Sequence, residues 1–275
     1  MGFLIFLFTV VIVLPGIYLL LQLHKRRRRK LLESRGLPPK QQRIVARNLR
    51  QYDRLSKDER DKLHGFIGVF LAEKEFEGCG GLEINDEIKV TIAAQACLLL
   101  LKQEEPSFYP ELYSIVIYPS AYVGEELRKQ GSEVIEEESV RLGESWSLGT
   151  VVLAWDSVKK DTRELSRNRN VVIHEFAHQL DQEDGMADGA PPLEEMENYR
   201  TWARVLGEEY CRLRRETQRG GNTLIDSYGA KDPAEFFAVA TEIFFENGGA
   251  LKEKHPKLYN ELKEYYHFDT AKWSA

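Results

Sequence analysis

Cysteine is scarce in this chain of 275 residues. Cys79, Cys97 and Cys211 are three in number and far apart, so neither a disulfide framework nor a Cys-rich zinc knuckle is expected. A low cysteine count fits a reducing compartment. A phosphate-binding loop is also missing. The Gly-rich stretch Gly78–Gly81 has no GK[ST] after it, the residues a P-loop needs. A net excess of basic charge is confined to one place. Six of the 38 Lys and Arg residues fall together at 25–30. That leaves 32 basic against 44 acidic residues elsewhere, a net of −12. An acidic body of this kind excludes direct nucleic-acid binding, which needs clustered cations against phosphates. No internal repeat is visible, and a chain of this length can bury one sizeable core without staples.

The first 23 residues, MGFLIFLFTVVIVLPGIYLLLQL, carry no charge and are followed by KRRRRK. A helix of that length rises about 35 Å, enough for a hydrocarbon core. Because the basic run follows the apolar one, the pattern predicts an N-terminal transmembrane helix rather than a cleaved signal peptide. The expected organisation is a transmembrane anchor over 1–24, a basic juxtamembrane linker over 25–55 and one domain over 56–270. The corresponding location is the bacterial inner membrane, single-pass, with the domain in the cytoplasm and membrane contact through residues 1–24.

Beyond the linker the periodicity changes twice. Ser56 and Glu59 have capping-box spacing ahead of a helix running to about Phe76, and residues 86–101 read as a buried helix containing Cys97. Residues 113–119, 132–142 and 149–158 are β-branched and separated by turns, and read as strands. Helical patterns return at 171–183, 192–216, 233–246 and 256–266. The expected class is α+β, with a small mixed sheet and surrounding helices.

The chemistry concentrates in NVVIHEFAHQLDQEDG, residues 170–185. On a helical wheel with His174 at zero, His178 falls near 40° and Asp181 near −20°. Ile173, Phe176 and Leu180 occupy the far side, between about −100° and −160°. One helix therefore carries a polar histidine stripe and a core stripe. Two imidazoles one turn apart can converge on one Zn²⁺, and Glu175, about 100° round, can reach a water without occupying a coordination position. Asp181 can orient a ligand imidazole from the same stripe. No third histidine follows nearby, so a carboxylate from 227–246 is expected to complete the site. Glu235 and Glu242 are the two candidates, seven residues apart. Asp232 and Pro233 read as the N-cap and first residue of their helix, so Glu235 also has capping-box spacing. The same motif occurs in intramembrane proteases, but Arg167, Arg169, Asp181, Glu183 and Asp184 make this segment too polar for lipid.

Four stretches together, FLAEKEFEGCGGLEINDEIKVTIAAQACLLLL, LGESWSLGTVVLAWDSV, VVIHEFAHQLDQEDGMADGAPPL and YGAKDPAEFFAVATEIFFE, resemble the Mlc titration factor A family. These are bacterial zinc metallopeptidases whose domain is also similar to the anthrax lethal factor catalytic domain. The resemblance covers most of 55–266. It implies a zincin-like metallopeptidase domain and one Zn²⁺ per chain, held by His174, His178 and Glu235 in a gluzincin-like set. It also implies Glu175 as general base and Tyr228 as oxyanion stabiliser. The implied function is a membrane-anchored zinc peptidase hydrolysing peptide bonds with a zinc-activated water. The alternative it raises is a binding module that sequesters a transcriptional repressor or other regulatory protein, with zinc structural or regulatory. Expected partners are a peptide or protein substrate and such a regulatory protein.

Overall fold

The computed structural model describes residues 2–120, 149–163, 168–193 and 195–273, with side chains from Leu14 onward. The chain opens with α1 (Gly2–Arg35), α2 (Pro39–Asn48) and α3 (Lys57–Glu73), then β1 (Glu75–Gly78), α4 (Asp86–Leu100), β2 (Ser114–Tyr118) and β3 (Thr150–Ala154). It continues with α5 (Trp155–Arg163), α6 (Val171–Asp181), α7 (Met196–Gln218), α8 (Pro233–Glu246), α9 (Gly248–Lys254) and α10 (Pro256–Tyr266). Short 3-10 turns lie at 52–54, 182–184, 227–230 and 270–273.

The N-terminal expectation needs correction. Among the described residues no helix is long and apolar enough to cross a membrane. This overturns the transmembrane helix and the single-pass inner-membrane location, and it leaves the membrane contact through residues 1–24 without support. The basic run that follows belongs partly to the packed body. Arg29 grips Glu73 through Nε and Nη2, both at 2.8 Å, and its guanidinium lies 4.7 Å from the centre of the Phe108 ring. The end of α1 rests so closely on α3 that a Cβ at Gly65 would sit 2.7 Å from the Glu33 carbonyl oxygen.

The sheet also differs from the small mixed one expected. Among the described residues it has three strands in the order β1-β2-β3, all parallel. Residue 75 pairs with 114, and 114 with 150. Parallel neighbours need a crossover, and α4 supplies it between β1 and β2. Strand β1 falls where a helix to about Phe76 was expected. The helix ends at Glu73 because Lys74 leaves helical geometry (φ −109°, ψ 139°), and its Nζ donates to the carbonyls of Tyr109 and Leu112. The strand expected over 149–158 gives way to α5 at Trp155. The strand expected over 132–142 lies outside the described residues.

Elsewhere local chemistry does what the spacing predicts. Ser56 and Glu59 close a reciprocal capping box at the start of α3, and Asn85 caps α4 through Ile88 N. Helix α4 is apolar nearly all round, and every side chain from Val90 to Leu100 is buried, Cys97 included. An all-apolar helix belongs at the centre of a domain. Helix α6 packs against α4 on one side and α8 on the other. Phe176 enters an aromatic cluster with Phe70 and Tyr109, ring centres 5.7 and 4.8 Å away. Full burial of such a ring contributes roughly 1.5–3 kcal/mol, so this face fixes how α6 is rotated and sends His174 and His178 toward α8.

Candidate metal centre

Helix α6 begins at Asn170, whose side chain accepts from Ile173 N. Helix α8 begins at Asp232, whose Oδ1 accepts from Glu235 N at 2.9 Å, with Pro233 in the first turn. The two helices meet along the polar stripe of α6. There His174 Nε2 and His178 Nε2 are 3.2 Å apart, and Glu235 Oε2 lies 3.1 Å from the first and 3.3 Å from the second. Glu235 thus turns its side chain to the histidines, and its backbone N–H alone serves the cap.

Three donor atoms from His174, His178 and Glu235 converge on one point. Tetrahedral Zn²⁺ with bonds near 2.0–2.1 Å separates its ligand atoms by roughly 3.3–3.4 Å. The observed separations match this within a few tenths of an ångström, and two imidazoles with a carboxylate suit a borderline-soft divalent ion. A second observation agrees: Glu175 Oε2, on the same helix, is shielded from solvent without a hydrogen-bond partner, as a group awaiting a water or substrate proton would be. The residues present fit a zinc ion.

Glu242 sits one layer behind. Its Oε1 accepts from His174 Nδ1 at 2.7 Å and its Oε2 from Asn170 N at 2.5 Å. Of the two carboxylates on α8, one therefore faces the Nε2 atoms and the other backs an imidazole. Asp181, the carboxylate expected to orient a histidine, is fully buried and accepts from Gly189 N at 3.0 Å instead. Gly189 closes the turn after α6: its φ is +80°, its carbonyl accepts from Trp202 Nε1 at 2.9 Å, and a Cβ there would lie 2.4 Å from the Pro233 carbonyl oxygen. This turn braces the end of α6 against the start of α8.

Electrostatics follow from burial and these contacts. Burial opposes a charge on His174, but hydrogen bonds to Glu235 and Glu242 outweigh it and lift the imidazole to about 10. Burial keeps His178 low. Burial alone would raise Glu235, yet hydrogen bonds from His174, His178 and Lys231 hold it far below the usual carboxylate range. Burial, with Glu235 and Glu242 nearby, pushes Glu175 up to about 8 against the pull of His174. The cluster is one in which a cation can replace a proton.

Tyr228 stands on the 3-10 turn before α8, half exposed, with Oη donating to Glu235 Oε1 at 3.0 Å. It shares with His174 and Glu175 the wall of a cavity of about 320 Å³, closed by Lys160 and Asp161 of α5 and by Arg169. Sequence reasoning missed Lys231, whose Nζ reaches the same Glu235 Oε1 at 3.0 Å; it stands ahead of α8 beyond the extended cap Asp232, so helical spacing gives no signal for it. It also missed Arg50, which donates to Glu246 Oε2 at 2.7 Å while Asn170 Nδ2 donates to Glu246 Oε1 at 2.8 Å. Nothing local in the sequence joins residues so distant.

This donor set on two crossed helices is that of a metallopeptidase-like domain, and comparison with known proteins agrees. A family model described as glucose-regulated metallo-peptidase M90 matches residues 23–267. The chain belongs to that family. A Synechocystis protein, slr2042, is 42% identical over 241 residues, covering 87% of each chain. Mlc titration factor A of Escherichia coli is 29% identical over 218 residues, covering 78% of this chain and 81% of its own. That of Yersinia pestis is also 29% identical, over 219 residues, covering 78% and 80%.

Proposed function

We propose that this protein is a zinc-dependent peptidase, with His174, His178 and Glu235 as the zinc ligands. The observation that carries the reading is the convergence of their three donor atoms at 3.1–3.3 Å beside the unpartnered oxygen of Glu175. Zinc held there would polarise a peptide carbonyl and acidify water. Glu175, which lines the cavity, takes the proton from the attacking water at its carboxylate and delivers it to the departing amine. Tyr228 turns its phenol from Glu235 Oε1 toward the developing oxyanion. Glu242 keeps a proton on His174 Nδ1, which leaves Nε2 as the ligating nitrogen. The cavity walls of α5 and the turn before α8 bound the peptide and limit water.

The test uses the zinc-loaded full chain and a fluorogenic peptide panel. The wild type is expected to cleave, and Glu175→Gln to keep zinc while losing turnover by about a thousandfold or more. Equal turnover in Glu175→Gln would refute the role of that residue.

A second reading, capture of a regulatory protein, is favoured by the printed name of the Escherichia coli and Yersinia relatives, Mlc titration factor A. It predicts partner binding that survives Glu175→Gln and yields no cleaved product. The two readings are compatible.

A further inference from the structure

We propose that Lys231 is a positioning residue that holds Glu235 by one oxygen so that the other stays aimed at the histidines while Tyr228 works on substrate. The inference rests on the zinc-site reading above and deepens it.

The Glu235 carboxylate is divided between two tasks. Its Oε2 faces His174 Nε2 and His178 Nε2 at 3.1 and 3.3 Å. Its Oε1 accepts two hydrogen bonds, one from Tyr228 Oη and one from Lys231 Nζ, each at 3.0 Å. One oxygen is presented and the other is anchored, which favours ligation through a single oxygen. The anchors differ in what else they can do. A phenol that stabilises an oxyanion must leave Glu235, because its one O–H proton donates in one direction. An ammonium has three donors and no such duty. When Tyr228 turns away, Lys231 is the donor left on Oε1 to keep the carboxylate from rotating.

Local geometry makes Lys231 suited to this. It follows the 3-10 turn that carries Tyr228 and directly precedes Asp232, the cap of α8. The turn brings its Nζ across the cap to within 3.0 Å of Glu235 Oε1. Its Nζ also lies 5.5 Å from the centre of the Tyr228 ring, near enough for a cation–π attraction that restrains the ring as well. An ordinary surface ion pair would contribute little and would not touch metal affinity. Here only the lysine is exposed: its side chain is 59% accessible and that of Glu235 only 11%.

The test compares Lys231→Met, which keeps the stem and removes charge and donors, with Lys231→Arg, Tyr228→Phe and the double variant Tyr228→Phe/Lys231→Met. Zinc affinity is measured by chelator competition on the full chain, beside kcat and KM on one peptide and a thermal melt of each zinc-free protein. Lys231→Met is expected to weaken zinc binding about tenfold, and Lys231→Arg to return it to within about threefold of wild type. Tyr228→Phe is expected to lower kcat with zinc affinity changed less than about threefold. The double variant should weaken zinc binding by more than the product of the single effects, since each residue backs the other on one oxygen. If Lys231→Met and the double variant bind zinc as tightly as wild type, the proposal is overturned while the zinc site stands. If Glu235→Gln and His174→Ala also bind zinc as wild type does, both this inference and the zinc-site reading fall.

Discussion

Replacing Glu242 with Gln changes one atom of a buried side chain and should cripple metal binding. Two N–H donors converge on this carboxylate: Asn170 N on Oε2 at 2.5 Å and His174 Nδ1 on Oε1 at 2.7 Å. A carboxylate accepts both, whereas a glutamine has one accepting oxygen and one amide that donates. The backbone N–H of Asn170 cannot give way, because that residue also caps α6. The amide introduced by Glu242→Gln therefore faces His174 Nδ1, which must lose its proton to accept it. In the neutral imidazole the proton then sits on Nε2, the atom 3.1 Å from Glu235 Oε2, and a protonated nitrogen cannot ligate. Loss of such a supporting partner typically weakens metal binding by about 10–100-fold, or about 1.4–2.7 kcal/mol. Chelator competition with Zn²⁺ at neutral pH measures this directly, and a zinc-free thermal melt checks that the fold survives. Zinc affinity within threefold of wild type in a folded Glu242→Gln protein would refute the assignment of Glu242 as the partner that sets the His174 tautomer.

Three further outcomes follow from particular contacts. Burial lifts the Asp181 carboxyl to about 7 even though Gly189 N donates to it, so the folded state holds this proton more tightly than the unfolded chain does. Its contribution to stability is greatest below about pH 4 and is lost as pH rises to about 7, by up to about 4 kcal/mol; Asp181→Asn should flatten the melting temperature between pH 5 and 8, and an unchanged pH slope counts against it. Gly189→Ala combines a positive φ with a Cβ 2.4 Å from the Pro233 carbonyl oxygen, and should cost about 2 kcal/mol or more in denaturant unfolding; a loss below about 0.5 kcal/mol would contradict the close approach. Arg50→Met leaves the 2% exposed Glu246 side chain without its guanidinium at 2.7 Å, expected to destabilise by about 3–5 kcal/mol, with part recovered in Arg50→Met/Glu246→Gln. A single-variant loss under about 1 kcal/mol would show that Asn170 and Gln51, whose Nε2 donates to Glu246 Oε1 at 3.5 Å, suffice for Glu246.

Legibility in the sequence followed the range of the interaction. The capping box at Ser56 and Glu59, the Asp232-Pro233 start of α8 and the buried run of α4 depend on neighbours within a few residues, and they could be read directly. Strand β1 could not. The segment EFEG at 75–78 is short and polar, and it becomes a strand because β2, from residue 114, pairs with it. The N-terminal expectation failed for a related reason. Charge order along a chain suggested an anchor followed by a basic linker, but no described helix is long and apolar enough to cross a membrane, and Arg29 of the basic run packs on Glu73 and Phe108, partners that no sequence window contains together.

Residues 171–181 alone set the two faces of the histidine helix, because a period of 3.6 residues separates His174 and His178 from Ile173, Phe176 and Leu180 whatever surrounds them. They also place Glu175 beside the pair. Which glutamate of α8 meets Nε2 was not in the sequence. Glu235 and Glu242 are two turns apart on one face, and both reach His174, one at Nε2 and the other at Nδ1. The crossing of α6 and α8, set by the core stripe of each helix and by the brace at Gly189, decides between them. Orientation across two helices is a property of packing, and packing exists only in the folded chain.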